Sequence, residues 1–136
     1  KIADPKGKTV EEVGASLLRH LDYADSTWNA VHEGLRKVIT EGVAKNVFLG
    51  QNITVAGKTG TAQQSQTHPD HGLFVGFAPS DSPQIAFAIR IANGYSSTFA
   101  AEVGNDVMEY YYKVTPENEL ITGSASDIGT GSNGGD

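Results

Sequence analysis

The amino-acid sequence predicts an α/β (α+β) fold, with an antiparallel sheet of three main strands and flanking helices. Three stretches, 53–63, 72–78 and 84–92, are rich in the β-branched and aromatic residues that favour strands. Two further stretches, 26–41 and 97–115, repeat apolar residues at the spacing of an α-helix. The short connection between the second and third strands favours an antiparallel hairpin.

Length and composition restrict the kinds of protein that this chain represents. Its 136 residues are enough for one domain with its own core. The absence of cysteine excludes disulfides and thiolate metal sites, and a net charge of −6 argues against nucleic-acid binding. Within these 136 residues, no apolar run is long enough to span a bilayer and no stretch has the pattern of a signal peptide. Because the first residue is Lys1 and not Met, we expect the chain to begin within a longer protein.

The N-terminal segment predicts a small surface hairpin. Asp4-Pro5-Lys6-Gly7 is a turn sequence between two short extended segments. The segment 13–21 has apolar residues at roughly helical spacing, but its glycine and serine disfavour a helix. That segment is therefore either helix or loop.

The first helix is predicted to begin at Asp25-Ser26, with Ser26 as the N-cap, and to end at Gly42 as the C′ residue. In the helix interior, Gly34 costs about 1 kcal/mol relative to alanine, so it either permits close packing or is a tolerated defect. We interpret this helix as scaffold for the strand that follows. Five residues form its apolar face: Trp28, Val31, Leu35, Val38 and Ile39.

The stretch 53–63 is the centre of the functional interpretation, because it is a strand with one lysine among glycines and threonines. Gly57 and Gly60 lack side chains, so the backbone of another molecule could lie close to the strand. Lys58 supplies a positive charge, and Thr59 and Thr61 supply hydroxyl and N–H donors. We predict an edge strand that binds an extended, negatively charged, peptide-like ligand by strand addition. The alternative is an exposed strand with a solvated lysine.

The second and third strands are predicted to be covered on both faces. The second, Gly72–Ala78, is apolar on both sides. The third carries large residues on one side and alanines on the other, so we expect a closely packed element on the alanine side. The large residues are Ile85, Phe87, Ile89 and Ile91, and the alanines are Ala86, Ala88 and Ala92.

The polar segment 64–70, with Pro69 as a breaker, is predicted to be a surface loop. His68 and His71 have a spacing compatible with a metal site, but a third ligand is missing. We therefore predict that both histidines lie in a surface loop and bind no metal.

The second helix is predicted to have Ser97 as its N-cap, to end at Thr115-Pro116 and to keep Met108 in the core. Residues 1–115 are interpreted as the domain, and 116–136 as a flexible Gly/Ser-rich tail. The helix is expected to pack on the sheet through an apolar stripe. That stripe consists of Phe99, Val103, Val107, Tyr110 and Tyr111.

The order of these elements resembles the C-terminal part of the transpeptidase domain of class B penicillin-binding proteins. The resemblance is carried by Lys58-Thr59-Gly60-Thr61-Ala62-Gln63 and by Phe74-Val75-Gly76-Phe77-Ala78-Pro79, with support from the helix at 28–35 and the hairpin before it. It implies a fragment of the serine β-lactamase/transpeptidase fold. It also implies part of a peptidoglycan D,D-transpeptidase, an enzyme that cross-links stem peptides and is acylated by β-lactams.

The resemblance implies roles for five residues of the lysine strand. Lys58 would attract the substrate carboxylate and assist proton transfer, and Thr59 and Thr61 would hydrogen-bond that carboxylate. The N–H of Thr61 would donate to the oxyanion. Gly60 would keep the strand open to the ligand, and Gln63 would line the site. The catalytic candidates are thus Lys58 and Thr61, and the substrate-binding candidates are Thr59, Gly60, Thr61 and Gln63.

Two of the three motifs of this family are absent from the sequence. Lys-Thr-Gly is present at 58–60, but neither Ser-x-x-Lys nor Ser-x-Asn occurs. We therefore interpret the chain as a fragment of the catalytic domain that is inactive alone. The Ile/Ala-rich strand would lack its neighbour and present an apolar edge, so we also expect self-association.

The resemblance implies no cofactor, and peptidoglycan stem peptides and β-lactams as ligands. It further implies a membrane-anchored parent chain at the extracytoplasmic face of the bacterial plasma membrane, with a glycosyltransferase partner. Two alternatives stay open: a serine β-lactamase or carboxypeptidase of the same superfamily, and a non-catalytic β-lactam sensor or peptide-binding module. The stretch 74–79 and the Ala62-Gln63 extension favour the transpeptidase over the first alternative.

Overall fold

The structure, a computed structural model, describes residues 2–14 and 16–120. A small hairpin leads into a three-stranded antiparallel sheet that has one long helix on each face, so the predicted α/β class is confirmed. The elements are β1 (Ile2–Ala3), β2 (Thr9–Glu11), α1 (Asp25–Thr40), β3 (Ala56–Ala62), β4 (His71–Ala78), β5 (Ile85–Ile91), α2 (Ser97–Tyr112) and α3 (Glu117–Leu120).

The N-terminal hairpin forms as predicted, because its turn is closed by a side chain. The Asp4 Oδ1 atom accepts the backbone N–H groups of Lys6 and Lys8, each at 2.9 Å. Gly7 has a φ of +81°, which glycine adopts without steric cost. The described residues of 12–24 contain neither helix nor strand, so the ambiguous segment is a loop.

The three-stranded sheet has the order β3-β4-β5, and both neighbouring pairs are antiparallel. Residues that lie directly opposite one another place their side chains on the same face. Lys58, Val75 and Ala88 form one such row, on the side that we call the open face. Thr59 and Phe74 belong to the adjacent row, which faces the other side. We call that side the α2 face, because α2 packs on it.

Phe74 is the centre of the core on the α2 face. Its side chain is fully buried, and its ring centroid lies 5.7 Å from that of Phe48 and 5.8 Å from that of Phe87. A Cβ atom at Gly57 in β3 would lie 2.7 Å from Phe74 Cζ, and one at Gly104 in α2 would lie 2.9 Å from Cδ1. The ring therefore sets the distance at which α2 lies over the sheet.

α2 packs on the sheet through its small side chains, so the predicted packing stripe is wrong. Because the Phe74 and Phe87 rings fill the space beneath α2, only small side chains fit between helix and sheet. Met108 is buried, as predicted. The other buried residues of α2 are Ala100, Ala101 and Gly104, whereas the exposed ones include Phe99, Val103, Val107, Tyr110 and Tyr111.

α1 covers only one end of the open face. The ring centroids of His32 and Phe77 lie 5.5 Å apart, and Leu35 lines a groove of ≈ 400 Å³ between helix and sheet. The sheet side of this groove stays open, because Val75 is 50% exposed and Ala88 is exposed as well. Within the part of the chain that the structure describes, nothing covers the alanine side, so the expectation of two covered faces is wrong.

The predicted helix at α1 is confirmed, but only the second half of its apolar face is packed. Ile39 is buried and Leu35 and Val38 are half-buried, whereas Trp28 and Val31 are exposed. The exposed half therefore continues the uncovered surface of the open face.

Trp28 belongs to a series of aromatic rings that runs from the loop before α1 to β4. Its ring centroid lies 5.9 Å from that of Tyr23 and 6.3 Å from that of His32. His32 in turn contacts Phe77. The series connects the exposed end of α1 to the sheet.

Both helix N-termini differ from the sequence prediction. α1 begins at Asp25, whose carboxylate lies at the positive end of the helix dipole, so Ser26 is inside the first turn and is not the cap. α2 is capped by Ser96 and not by Ser97. Ser96 has an extended backbone, and its Oγ accepts the N–H of Thr98 at 3.1 Å.

Glycine is present at two positions of the α1 region for different reasons. Gly42 follows the helix as predicted, and a Cβ there would lie 2.9 Å from the Val38 backbone, so close approach requires glycine. Gly34 is exposed, and a Cβ there would meet no atom within 4 Å. Of the two interpretations of Gly34, the tolerated defect is therefore correct.

A polar network holds the connector before β3 against α2. The Gln51 amide donates to Asn105 Oδ1 at 2.8 Å and also to Glu109 Oε1. The Thr115 hydroxyl donates to Glu109 Oε2 at 2.5 Å. The hydrogen bonds that Glu109 accepts from Thr115, which has the largest effect, and from Asn105 and Gln51 lower its pKa, although partial burial opposes the shift. The network fixes the point at which the chain enters β3.

The C-terminal segment forms one helical turn, α3, after α2. Residues 121–136 of the predicted tail lie outside the described residues. The division into a domain at 1–115 and a tail at 116–136 stays a prediction.

We predict opposite stability effects for the same substitution in the two helices. Gly34→Ala should raise the free energy of unfolding by up to about 1 kcal/mol, because alanine favours a helix interior and the site is open. Gly104→Ala should lower it by about 1 kcal/mol or more, because the new Cβ would press on the Phe74 ring. Urea unfolding followed by circular dichroism measures both values. A stabilised Gly104→Ala variant would show that α2 is not held by this contact.

Candidate functional site

The strand β3 lies at an edge of the sheet, as the sequence predicts. In the order β3-β4-β5, its other side has no neighbouring strand among the described residues. In an antiparallel edge strand, every second residue directs its N–H and C=O groups away from the sheet. The edge of β3 can therefore hydrogen-bond an extended ligand along its length.

Lys58 projects from the open face and is exposed. Its neighbours across the sheet are Val75 and Ala88, which offer no negative charge. The Nζ atom donates a hydrogen bond of 2.7 Å to the carbonyl oxygen of Thr59. The amine thus lies along its own strand, beside the free edge.

The structure separates the two threonines from the lysine by strand alternation. Thr59 is only 9% exposed and lies opposite Phe74 on the α2 face. Thr61 lies on the same face as Thr59 but is exposed, and Gln63 is exposed just beyond the end of β3. Only the backbone edge, which both faces share, brings these residues together.

The two glycines of the strand have different surroundings. Gly57 is buried, and its missing side chain makes room for the Phe74 ring rather than for a ligand. Gly60 is half-buried, and a Cβ there would make only ordinary contacts, the nearest at 3.5 Å from Leu73 Cβ. Because Gly60 has no side chain, nothing projects from this position of the open face beside Lys58.

His71 is buried at the start of β4, so its assignment to a surface loop is wrong. Its Nδ1 accepts the backbone N–H of Asn93 at 2.9 Å. Its Nε2 lies 2.5 Å from Gln64 Oε1 and 2.9 Å from Arg90 Nη2. The Leu73/Val75 alternation, extended backward by two residues, would have placed this histidine in the strand.

His68 does not join His71 in a metal site in this structure. The His68 Nδ1 atom lies 3.2 Å from Thr67 Oγ1 and 3.3 Å from Ser65 Oγ. Residues 2–14 and 16–120 contain no group of three or more side chains arranged to hold a metal ion. The cluster around His71 is instead a hydrogen-bond network that includes an arginine, which the sequence reasoning missed.

Comparison with protein families gives one match over most of the chain. The sequence model of the penicillin binding protein transpeptidase domain matches residues 4–109.

Curated relatives match over most of this chain but only a small part of their own length. The peptidoglycan D,D-transpeptidase MrdA of Acinetobacter baumannii is 32% identical over 77% of this chain and 18% of its own. Penicillin-binding protein 2A of Bacillus subtilis is 28% identical over 83% of this chain and 18% of its own. The chain therefore spans about a fifth of these relatives.

Solved structures give the same result. Pseudomonas aeruginosa PBP2 in complex with WCK 5153 aligns with a TM-score of 0.63 and 37% identity, over 74% of this chain and 23% of that one. The imipenem acyl-enzyme of Mycobacterium tuberculosis penicillin-binding protein A aligns with a TM-score of 0.55 and 26% identity, over 64% and 19%. Streptococcus pneumoniae PBP-2B has a TM-score of 0.65 but 23% identity, over 85% and 21%, which shows a shared fold alone.

Proposed function

This chain belongs to the penicillin-binding protein transpeptidase domain family, and from that premise we propose that it is part of a peptidoglycan D,D-transpeptidase. The predicted fold, a fragment of the β-lactamase/transpeptidase fold, is confirmed. The observation that carries the functional proposal is the free edge of β3, along which Lys58 lies exposed. The parent enzyme would cross-link stem peptides and bind β-lactams. This chain would supply the Lys-Thr-Gly strand, which forms one wall of the active site.

Lys58 would hold the carboxylate at the end of the stem peptide. Its amine now donates to the neutral carbonyl of Thr59 at 2.7 Å, which supports a position close to the strand backbone. A ligand carboxylate would replace that carbonyl by a charged acceptor, and charge-assisted hydrogen bonds are about twice as strong as neutral ones. Lys58 would also assist proton transfer between the reacting hydroxyls.

Thr61 would complete the wall from the other face of the strand. Its exposed hydroxyl would hydrogen-bond the carboxylate, and its backbone N–H would donate to the oxyanion as the carbonyl becomes tetrahedral. The hydroxyl of Thr59 is less accessible, because the side chain is nearly buried opposite Phe74. Gly60 would let the ligand lie close to the strand, and Gln63 would line its far end.

Acyl transfer also needs a nucleophile, and this sequence does not contain the motif that would supply one. An activated serine, its base and an oxyanion hole must meet in one geometry. The chain has Lys-Thr-Gly at 58–60 but no Ser-x-x-Lys and no Ser-x-Asn. We therefore propose that it binds the ligand weakly and does not react with it alone.

The family suggests the setting of the parent protein. We propose that the parent is anchored at the extracytoplasmic face of the bacterial plasma membrane and works with a glycosyltransferase. Among the helices that the structure describes, none has the length and apolar character needed to cross a bilayer.

We predict that N-acetyl-D-alanyl-D-alanine shifts the backbone amide NMR signals of Gly60 and Thr61 in a saturable way. The C-terminal amide of the same dipeptide should bind at least about tenfold more weakly, because it lacks the charge that Lys58 holds. Lys58→Gln should have a similar effect. Lys45→Gln, which removes an exposed lysine from the connector, is the matched control and should change nothing. Equal binding of acid and amide would contradict the proposal.

The 136-residue chain should form no covalent adduct with benzylpenicillin, because the nucleophile motif is absent. Intact-mass spectrometry after incubation tests this directly. A stoichiometric gain of one penicilloyl group would overturn the proposal that this chain supplies only one wall of the site.

We also predict that the chain self-associates through the uncovered β5 edge and alanine side. Light scattering should show species larger than a monomer, and Ala88→Lys should shift them toward the monomer, because a lysine beside a sheet edge opposes strand pairing. Asn46→Lys, which adds the same charge at an exposed position of the connector before β3, is the control and should have no such effect. A monomer at every concentration would contradict this prediction.

A further inference from the structure

We propose that the cavity at the far end of the open face, beside His71 and Arg90, is a binding site for a carboxylate group. The cavity has a volume of ≈ 440 Å³ and is lined mainly by polar side chains together with the cationic Arg90. The lining residues that carry the proposal are Gln64, His68, His71, Arg90 and Asn93.

The buried imidazole of His71 is a fixed hydrogen-bond donor in this cavity. Its Nδ1 accepts the backbone N–H of Asn93 at 2.9 Å, so this nitrogen carries no hydrogen. A neutral imidazole then has its hydrogen on the other nitrogen, Nε2. That N–H group points to Gln64 Oε1 at 2.5 Å. The backbone of the turn after β5 thus sets which way the histidine donates.

Arg90 converges on the same point as His71. Its Nη2 lies 2.9 Å from His71 Nε2 and 3.5 Å from Gln64 Oε1. Neither nitrogen can accept, because a guanidinium has only donors and Nε2 carries the hydrogen of the ring. The two groups therefore do not satisfy each other and need a shared acceptor between them.

No negative charge in the described part of the chain serves Arg90. Across residues 2–14 and 16–120 the one ion pair joins Lys37 to Glu33, and no carboxylate lies within 4.0 Å of the Arg90 guanidinium. The charged donor of Arg90 and the neutral donor of His71 converge on one point. A carboxylate placed there can accept a hydrogen bond from each of them.

The side chain of Gln64 occupies the position that a ligand oxygen would take. Its Oε1 is a neutral acceptor on an exposed residue of the β3–β4 loop, so it can move away at little cost. A carboxylate would offer the same planar acceptor geometry with a full negative charge, which strengthens both hydrogen bonds. Gln64 is therefore a competitor of the ligand inside the site.

The cavity lies beside the lysine strand on the same face of the sheet. Arg90 forms a row with Leu73 and Gly60, and Gly60 is two residues beyond Lys58. Standard strand spacing places the Cα atoms of Lys58 and Arg90 about 12 Å apart. A peptide whose terminal carboxylate binds Lys58 would therefore place a second acidic group in this cavity. This orientation of the peptide rests on the proposed function.

The test follows the ring nitrogens of His71 and the side-chain N–H of Arg90 by ¹H–¹⁵N NMR. Sodium acetate replaces sodium chloride at constant ionic strength in the 136-residue chain. We expect saturable shifts at both residues and none at His20, which is exposed in the loop before α1. Sodium phosphate should bind more weakly than acetate. Shifts that do not saturate, or tighter binding of phosphate, would overturn the carboxylate site.

Two variants separate a binding site from a network that only holds His71 in place. Arg90→Gln should weaken acetate binding by about tenfold or more, because a charged hydrogen bond is lost. Arg90→Lys, which keeps the charge but loses the planar fork, should weaken it less and serves if Arg90→Gln misfolds. Gln64→Ala should instead tighten binding, because the competing acceptor is gone. Unchanged or weaker binding in Gln64→Ala would contradict the proposal.

Lys58→Gln makes the failure of this site distinguishable from the failure of the proposed function. If the acetate shifts at His71 vanish in Lys58→Gln and persist in Arg90→Gln, the anion binds at Lys58 and the second site is excluded. If they vanish only in Arg90→Gln while the dipeptide acid and amide bind equally, the site beside His71 stands and the transpeptidase proposal fails.

Discussion

The contact of the Phe74 ring with two glycines is the constraint on which the rest of the structure depends. Gly57 lies against the ring within the sheet and Gly104 lies against it from α2, and no side chain fits at either position without displacing the ring. The ring therefore fixes the separation of helix and sheet. It also fixes which face of β4 is buried, and through the antiparallel register it fixes the faces of β3 and β5.

Burial of Phe74 determines the direction of the functional side chains. Because Thr59 lies opposite Phe74, it must face α2, and Lys58 one residue earlier must face the other way. Arg90 shares the face of Lys58 by the same alternation, carried across two strands. The uncovered side of the sheet is thus also its cationic side, although the chain as a whole has a net charge of −6.

Much of this architecture is visible in the sequence, since strand and helix periods, the turn at 4–7 and the edge position of the lysine strand follow from local patterns. The packing face of α2 is not, because hydrophobicity ranks Phe99 and Val103 above Ala100 and Gly104, whereas the space over Phe74 admits only the small ones. The donor cluster at His71 is equally hidden. Its partners come from a loop, the neighbouring strand and a turn, and only the folded register brings them together.

The ring series that begins at Tyr23 gives this chain a built-in optical reporter. Trp28 is the only tryptophan, and it is 37% exposed between Tyr23 and His32. Its fluorescence therefore arises at the exposed end of α1, next to the His32 ring that contacts the sheet, and not at the free edge of β3 or in the core around Phe74. Changes in its emission register the seating of that helix, and remain silent about the lysine strand itself.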